Sequence, residues 1–340
     1  MRSPRVLAAV SAALLTSGLA LAGCGGDESD SQDASMAPVG EQPNGQQADP
    51  DTWPLTGEPV DDGDSSMQKH PVLVLKMDNT ASSAPQVGLG SADLVVEELV
   101  EGGMTRLAAF YYSSIPGEAG PVRSMRASDI GIVAPVDGDM VTSGAAGVTI
   151  SRINGAGIDF HSEGARGLYR DDGRSAPYNL FADLGEVAAA TKQKEARPAD
   201  YLPWGEADDL PSGQPAKTIS ASFGGHVTNW VFRKGGYVNE NSYAANGDEF
   251  PADTVLALKV PVGDAGYRDP AGNFVPETQF VGKGEAMVFH DGRLVRATWS
   301  KDSLKAPLDL RTKSGELTVP AGRVWIELIP RDSGQVTFSK

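Results

Sequence analysis

The sequence predicts an α+β fold, in which an N-terminal α/β-type domain is followed by a smaller, mainly-β C-terminal domain. One observation is the continuous apolar run from Val72 to Leu75, which is typical of a strand buried on both faces. A second is the stretch PWGEADDLPSGQPA at 203–216, whose three prolines mark a domain boundary. A third is the later series of β-forming segments, ISASF, NWVFR, VLALKV, EAMVFHDGRLVRATW and GRVWIELIP. We therefore place the two domains at 53–203 and 217–340, with a linker at 204–216.

The first 23 residues predict a lipoprotein signal peptide. Arg2 and Arg5 form a basic start, and an apolar run rich in small residues extends from Val6 to Ala22. The tetrapeptide LAGC, which ends at Cys24, resembles the lipobox of bacterial lipoproteins, whose cysteine thiol receives a diacylglyceryl group. We therefore expect the mature chain to begin at Cys24. Because two or more acyl chains, such as palmitate, anchor a protein stably, we also expect it to stay on the membrane. Its predicted location is the extracytoplasmic face of the cell membrane.

Residues 24–52 predict a disordered tether. After Cys24 they read GGDESDSQDASMAPVGEQPNGQQADPDT, with almost no aliphatic or aromatic side chains. Such a composition cannot bury enough apolar surface to offset the entropy lost on ordering. We expect the first folded segment to begin near Trp53.

Composition excludes several classes of function. The formal charge of −16 over 340 residues disfavours binding to nucleic acid. A single cysteine excludes an intrachain disulfide and a cysteine-rich metal site. The four histidines are far apart and show no zinc-ligand spacing. We therefore expect no metal, no cofactor and no nucleic-acid partner.

Several local elements follow from pattern and turn chemistry. Two apolar segments around Gly102-Gly103 predict a β-hairpin, although 93–100 is also compatible with a short helix. Helical spacing predicts a helix over 124–133 and another over 183–193, the latter with Asp183 as its N-cap. Asp291-Gly292 between two β-forming runs predicts a two-residue hairpin turn.

The basic residues between Pro71 and Leu180 are unusual in type. One is Lys76, and the other seven are arginines: Arg106, Arg123, Arg126, Arg152, Arg166, Arg170 and Arg174. Arginine favours bidentate recognition of carboxylate or phosphate, although a GC-rich genome would produce the same bias. If GPVRSMRASD is helical, Arg123, Arg126 and Asp129 lie near the helix start and predict an anion site. The alternative is an ordinary surface salt bridge between Arg126 and Asp129.

A second group of candidates lies at the end of the predicted strand VLKMDN. Ligands gather outside the carboxyl ends of strands in α/β sheets, which favours Lys76, Asp78 and Asn79 as site residues. The alternative for Asp78 and Asn79 is the start of a turn. Asp78 and Glu98 are the candidate catalytic carboxylates. On a strand, Glu98 and its neighbour Glu97 point to opposite faces, so at most one of them joins a given cleft.

Several segments together resemble the YerB-type bacterial lipoproteins, the family known as domain of unknown function 3048. In the N-terminal part they are PLTG (54–57), VLKMDN (74–79), APQVGLGSADLVVEELVEGGMTR (84–106), GPVRSMRASDI (120–130) and APYNLF (176–181). In the C-terminal part they are GKGEAMVFHDGRLVRATWSK (282–301) and GRVWIELIP (322–330). The resemblance implies lipid anchoring and a two-domain organisation. Where we would expect a histidine in APYNLF, this chain has Tyr178.

These observations lead to two functional hypotheses. The first is a membrane-anchored binding or scaffolding lipoprotein that recognises an anionic envelope component or a partner protein. The alternative is an enzyme that acts on a phosphate- or sugar-containing envelope polymer, with Asp78 or Glu98 moving a proton. The predicted ligand-binding residues are Lys76, Asn79, Arg106, Arg123, Arg126, Asp129, Arg174 and Asn179.

Overall fold

The computed structural model describes residues 51–61 and 65–340. The predictions for the signal peptide (1–23), for the lipidation site Cys24 and for the tether up to residue 50 lie outside this range. Within it, no helix is long and apolar enough to cross a membrane.

Strands dominate the described part of the chain, which gives an α+β fold with few helices. The helices are α1 (Asp129–Val133), α2 (Gly147–Gly155) and α3 (Leu184–Ala190). The strands are β1 (Leu73–Asn79), β2 (Leu94–Leu99), β3 (Thr105–Tyr111), β4 (Asp139–Val141), β5 (Phe160–His161), β6 (Leu168–Arg170), β7 (Leu180–Ala182), β8 (Trp204–Gly205), β9 (Gln214–Pro215), β10 (Thr218–Ser222), β11 (Val227–Arg233), β12 (Gly236–Asn239), β13 (Thr254–Val260), β14 (Val262–Arg268), β15 (Phe274–Thr278), β16 (Gly282–His290), β17 (Arg293–Lys301), β18 (Asp309–Thr312), β19 (Gly315–Glu316), β20 (Val319–Pro320), β21 (Val324–Pro330) and β22 (Gln335–Ser339).

A 12-stranded sheet forms the centre of the molecule. Its order is β19-β18-β17-β16-β13-β21-β2-β3-β1-β4-β5, and β9 pairs with β17 at one side. Strands β13, β21, β2, β1, β4 and β5 run in the same direction, with β3 antiparallel between β2 and β1. The carboxyl ends of these six strands therefore lie along one edge of the sheet.

The central sheet combines strands from both predicted domains. Strand β2 of the N-terminal part pairs in parallel with β21 of the C-terminal part, from Leu94 with Val324 to Glu98 with Leu328. The predicted linker itself contains β8 and β9, each of which pairs with a C-terminal strand. Both parts are thus joined by backbone hydrogen bonds across the sheet. The division of the chain into two domains at 204–216 remains a prediction.

Each face of the central sheet covers its own hydrophobic core. Because side chains alternate along a strand, Val74, Lys76 and Asp78 of β1 lie on what we term the first face, and Leu75 and Asn79 lie on the second. The core of the first face includes Val72, Val96, Phe110 and residues of α1. The core of the second face is closed by the four-stranded sheet β12-β11-β10-β22.

Several predicted local elements are present. The hairpin β2–β3 replaces the alternative of a helix at 93–100, and its register runs from Leu94 with Phe110 to Leu99 with Thr105. Helix α3 has Asp183 as its N-cap, whose carboxylate accepts a hydrogen bond from the Glu186 amide. Asp291-Gly292 forms the turn between β16 and β17.

The predicted helix over 124–133 is wrong in its first half. Helix α1 begins only at Asp129, and residues 123–126 are extended or irregular. The reason lies in hydrogen bonds to distant partners, which hold the backbone of residues 123–125 out of helical geometry. The Arg123 amide donates to the Lys76 carbonyl, and the Met125 amide donates to the Gly144 carbonyl. Tertiary hydrogen bonds therefore override the helical spacing of the sequence.

Candidate anion-binding site

Charged side chains concentrate on the first face of the sheet, where the parallel strands end. We call this group the arginine cluster: Lys76, Asp78, Glu98, Glu101, Arg106, Arg123, Arg126 and Asp129. Strand register brings three of them together, because Arg106 on β3 pairs with Asp78 on one side and with Glu98 on the other. Strand alternation therefore builds the floor of the cluster, and the segment 123–129 lies over it.

Lys76 occupies the deepest position in the cluster. Its Nζ lies 2.8 Å from Glu98 Oε1 and 2.8 Å from Asp129 Oδ1, and all three side chains are fully buried. Burial alone would lower the pKa of Lys76, but Asp129 and Glu98 raise it. Burial raises the pKa of Glu98 to about 7, although Lys76 opposes this shift. These three side chains form a buried ion network, and none of them contacts solvent.

Two arginines share the carboxylate of Asp78. Arg123 Nε lies 3.3 Å and Arg106 Nη2 lies 3.7 Å from Asp78 Oδ2, an oxygen that accepts no hydrogen bond from another described residue. Buried donors also lack acceptors in the described structure, namely Nε and Nη1 of Arg106 and Nη1 of Arg123. Burial lowers the pKa of Arg106 to about 10; Asp78 opposes the shift, and Arg123 and Arg126 add to it.

Arg126 is held by a different acid. Its Nε and Nη2 each donate to Glu101 at 2.7 Å in a bidentate pair, and its Nη1 donates to two backbone carbonyls. Although burial alone would raise the pKa of Glu101, hydrogen bonds and charge from Arg126 lower it. The Arg126 amide donates to Asp129 Oδ2 at 2.6 Å. The guanidinium of Arg126 is therefore saturated, whereas that of Arg106 is not.

Arg123 connects the cluster to solvent. Its side chain retains 19% of its exposure, against 4% for Arg106 and 1% for Asp78. The guanidinium carbon lies 5.1 Å from the centre of the Tyr178 ring, a cation–π distance. The tyrosine that replaces the expected histidine in APYNLF thus forms one wall beside Arg123.

The remaining predicted ligand residues lie outside the arginine cluster. Arg174 donates to the Ser83 carbonyl and stacks at 4.7 Å on Phe181. The Asn179 carboxamide oxygen accepts from Arg170. Asn79 lies on the second face, where its Nδ2 donates to Glu97 and to Thr105. The structure therefore brings together Lys76, Asp78, Glu98, Arg106, Arg123, Arg126 and Asp129, and places the other three elsewhere.

A second polar group lies on the opposite face at the same edge, and we call it the carboxyl cluster: Asn79, Glu97, Thr105, His226, Thr228, Trp230 and Glu327. Glu97 and Glu327 are fully buried neighbours on the parallel strands β2 and β21. Burial raises the pKa of Glu327 well above its ordinary value, and the adjacent Glu97 raises it further. Trp230 donates to Glu327, and Thr228 donates to Glu97. This arrangement suits a shared proton.

Sequence reasoning missed Glu101 as the partner of Arg126 and Glu327 as the partner of Glu97. Glu327 stands alone among apolar residues in GRVWIELIP, which is the signal that could have indicated a buried acid. No signal could have indicated its partner, because the pairing depends on the sheet order. Among the described residues, no group of three or more His, Cys, Asp or Glu side chains is placed to hold a metal ion.

The fold and this site define a class of protein: an α+β protein on one mixed sheet, with a buried ion network at the carboxyl edge of its parallel strands. The sequence matches the family described as "Protein of unknown function (DUF3048) N-terminal domain" over residues 55–197. It matches the corresponding "Protein of unknown function (DUF3048) C-terminal domain" over residues 219–326. The chain belongs to this family, and the resemblance noted in the sequence is confirmed.

One relative is YerB of Bacillus subtilis (strain 168), which is named as a candidate lipoprotein. It is 26% identical over 308 residues, which cover 84% of this chain and 88% of YerB. The crystal structure of the YerB protein from Bacillus subtilis superimposes with a TM-score of 0.69 at 19% identity, covering 84% of this chain and 99% of that chain. The structural likeness shows a common fold, and the relative's name supports the description of this chain as a lipoprotein.

Proposed function

We propose that this chain is a lipoprotein anchored through Cys24 on the extracytoplasmic face of the cell membrane. In this proposal its folded part, organised as the segments 53–203 and 217–340, binds an anionic envelope component or an acidic group of a partner protein at the arginine cluster. The lipobox-like LAGC and the name of the YerB relative support the anchor. The unsatisfied arginine donors support the binding function.

The observation that carries the proposal is the sharing of Asp78 by Arg106 and Arg123. Buried polar atoms in proteins are nearly always hydrogen-bonded, because an unsatisfied buried group costs about 1–3 kcal/mol. Here three guanidinium nitrogens and one carboxylate oxygen lack such a partner in the described structure. A phosphate or carboxylate offers two or three acceptor oxygens in the geometry that guanidinium groups match. A bound anion would satisfy these donors, and Asp78 would hold the two arginines when the site is empty.

Inorganic phosphate is a suitable first probe of this site. We expect titration calorimetry of the full-length protein to show saturable phosphate binding. Arg123→Gln should weaken it by roughly tenfold, since a charge-assisted hydrogen bond contributes about 1.5–3 kcal/mol. Arg166→Gln is the matched control, because Arg166 pairs with Glu186 on the exposed surface. Equal phosphate binding by Arg123→Gln and wild type would place the anion elsewhere and contradict the proposal.

The anchor is tested separately. In cells labelled with palmitate, the wild-type chain should incorporate label and Cys24→Ala should not. Equal incorporation by both would show that LAGC is not the lipidation signal.

The alternative enzymatic function finds less support in the geometry. It requires Asp78 or Glu98 to reach a substrate atom, because proton transfer needs hydrogen-bond contact. Glu98 has a pKa raised to about 7, as a general acid or base would, but its side chain is fully buried and paired with Lys76. Asp78 is only 1% exposed and is occupied by two arginines. These contacts favour recognition over catalysis.

A further inference from the structure

A cavity of about 860 Å³ lies beside β5, the last strand of the central sheet. It shares no residue with the arginine cluster or the carboxyl cluster. Asp139, which lines it, pairs with Leu73 at the first residue of β1, whereas the arginine cluster lies at the last residues of β1. Its volume falls within the range of about 300–1,000 Å³ that is usual for small-ligand sites.

The two walls of this cavity carry opposite charges. The wall formed by the sheet edge and the turn before β4 contributes the carboxylates of Asp137, Asp139 and Asp159. The facing wall is the segment 191–198, which contains neither helix nor strand and which we call the strap. The strap contributes Lys192 and Lys194, with Glu195 as its one acid. Its Arg197 is already bonded to Asp200 and to two backbone carbonyls.

Lys194 spans the cavity between the two walls. Its Nζ lies 3.4 Å from Asp137 Oδ2 and 3.3 Å from Asp139 Oδ1. Both distances exceed the roughly 2.7–2.9 Å of a well-made charge-assisted hydrogen bond. Asp139 is 5% exposed, and its Oδ1 accepts no hydrogen bond from another described residue. One ammonium thus stands between two carboxylates and fully satisfies neither of them.

His161 lies beside Asp139 on the same wall of the cavity. Its Nε2 lies 3.3 Å from Asp139 Oδ2, which places the imidazole and Lys194 on different oxygens of the same carboxylate. Asp159, which immediately precedes β5, has an exposed side chain that lines the cavity. Lys192 on the strap is also exposed and makes no hydrogen bond or ion pair with another residue of the described ranges. Each wall therefore keeps at least one charge available to a ligand.

We infer that this cavity binds a short peptide that carries both a free amino terminus and a free carboxyl terminus. The ammonium would bind the sheet-edge carboxylates, and the carboxylate would bind the strap lysines. Because the cavity volume of about 860 Å³ leaves room for several residues, the cavity suits a short peptide better than a single amino acid. Lys194 can exchange its long contacts with Asp137 and Asp139 for the ligand carboxylate while the ligand ammonium takes its place. The exchange leaves no charge unpaired, which avoids the cost of an isolated buried charge.

Trialanine is the probe that tests this inference, with N-acetyl-trialanine amide as a matched control of the same length without terminal charges. In titration calorimetry of the full-length protein, trialanine should bind saturably and the capped peptide should bind at least roughly tenfold more weakly, as expected for two lost charge-assisted contacts. Free alanine should also bind more weakly than trialanine. Equal affinity for the capped peptide, or no saturable binding of trialanine, overturns the inference.

Substitutions locate the binding within the cavity. Lys192→Gln and Asp159→Asn alter exposed side chains without removing the Lys194 contacts, so both variants should fold as the wild type does. Each should weaken trialanine binding by roughly fivefold to tenfold. Lys313→Gln, in the exposed turn between β18 and β19, should leave it unchanged. If both cavity variants bind trialanine as the wild type does, the peptide site is not here. The arginine cluster is untouched by these variants, so this result would leave the proposed anion site intact.

Discussion

Two polar clusters lie at the same edge of one sheet, on opposite faces, and they solve the problem of buried charge in different ways. Adjacent residues of β2 enter them, Glu98 on the first face and Glu97 on the second. In the arginine cluster, Glu98 meets an ammonium at 2.8 Å. In the carboxyl cluster, Glu97 lies beside another fully buried carboxyl group, that of Glu327.

The comparison shows that burial acts similarly on both faces and that the neighbours determine which group carries charge. Burial raises the pKa of Glu98 and of Glu327 alike. Lys76 opposes the shift for Glu98, whereas Glu97 increases it for Glu327. The first face therefore depends on ion pairs that break if one partner is removed. The second depends on a proton, which solvent supplies or removes with pH.

The largest expected effect comes from Lys76→Met on the first face. It leaves Glu98 and Asp129 buried without their cation, and breaking a buried pair in this way costs about 3–5 kcal/mol of unfolding free energy. Urea unfolding of the full-length protein measures the loss. Adding Glu98→Gln to the variant should recover part of it, since one uncompensated carboxylate is removed. A loss below about 1 kcal/mol for Lys76→Met would contradict the ion network.

A smaller loss is expected from Arg126→Gln. It removes the bidentate pair with Glu101, in which both partners are mostly buried. Hydrogen bonds to charged groups contribute about 1.5–3 kcal/mol, so the free energy of unfolding should fall by about 2 kcal/mol. Thermal unfolding at matched pH checks this value. Unchanged stability would show that Glu101 finds another donor.

A change of opposite sign, still smaller when measured near pH 5, is expected on the second face from Glu327→Gln. The folded state raises the pKa of Glu327, so the stability contributed by its neutral form is complete below the unfolded pKa. That contribution is lost as the pH rises towards the folded pKa. Glutamine stays neutral throughout, so the variant should gain stability relative to wild type once the pH exceeds the unfolded pKa. The gain is about 1 kcal/mol near pH 5 and grows by up to about 1.4 kcal/mol for each further pH unit until the folded pKa is reached, because the wild-type group must take up a proton on folding.

Urea unfolding across this pH range tests the second face, with Glu58→Gln as the control because Glu58 is exposed. Glu58→Gln should track the wild type at every pH. A stability difference between Glu327→Gln and wild type that stays constant with pH would mean that Glu327 does not hold a proton in the folded protein.

The smallest effect is expected at the surface. Arg166→Gln removes an exposed ion pair with Glu186 and should leave the unfolding midpoint within measurement error, because solvent screens such pairs. A loss of stability as large as that of Arg126→Gln would show that burial does not determine how much each of the two ion pairs contributes.

Local sequence patterns predicted the parts of the fold that depend on local chemistry. The β2–β3 hairpin, the Asp183 cap and the Asp291-Gly292 turn follow from alternation and turn residues. The opposite directions of Glu97 and Glu98 follow from strand geometry alone. The helix start at 124 failed because the amides of Arg123 and Met125 bond to strand β1 and to Gly144, which no local pattern records.

The site was predictable in its residue types but not in its pairings. Arginines in GPVRSMRASD and acids at the end of VLKMDN indicated charged contacts, and Arg123 does meet Asp78. The pairing of Arg126 with Glu101 depends on where the irregular segment crosses the sheet. Glu97 and Glu327 meet only because β21 inserts beside β2, and the strap cavity exists only because a distant segment returns to the sheet edge.

The most direct test of the anion site is nuclear magnetic resonance of the arginine Nε–H groups during titration of the full-length protein with inorganic phosphate. The Nε–H signals of Arg106 and Arg123 should shift together and saturate at one dissociation constant, because a bound anion supplies acceptors to both side chains. The signal of Arg126, already bonded to Glu101, should move little, and that of exposed Arg166 should show no saturable shift. Unshifted signals for Arg106 and Arg123 at phosphate saturation, or shifts at Arg166 alone, would contradict the account.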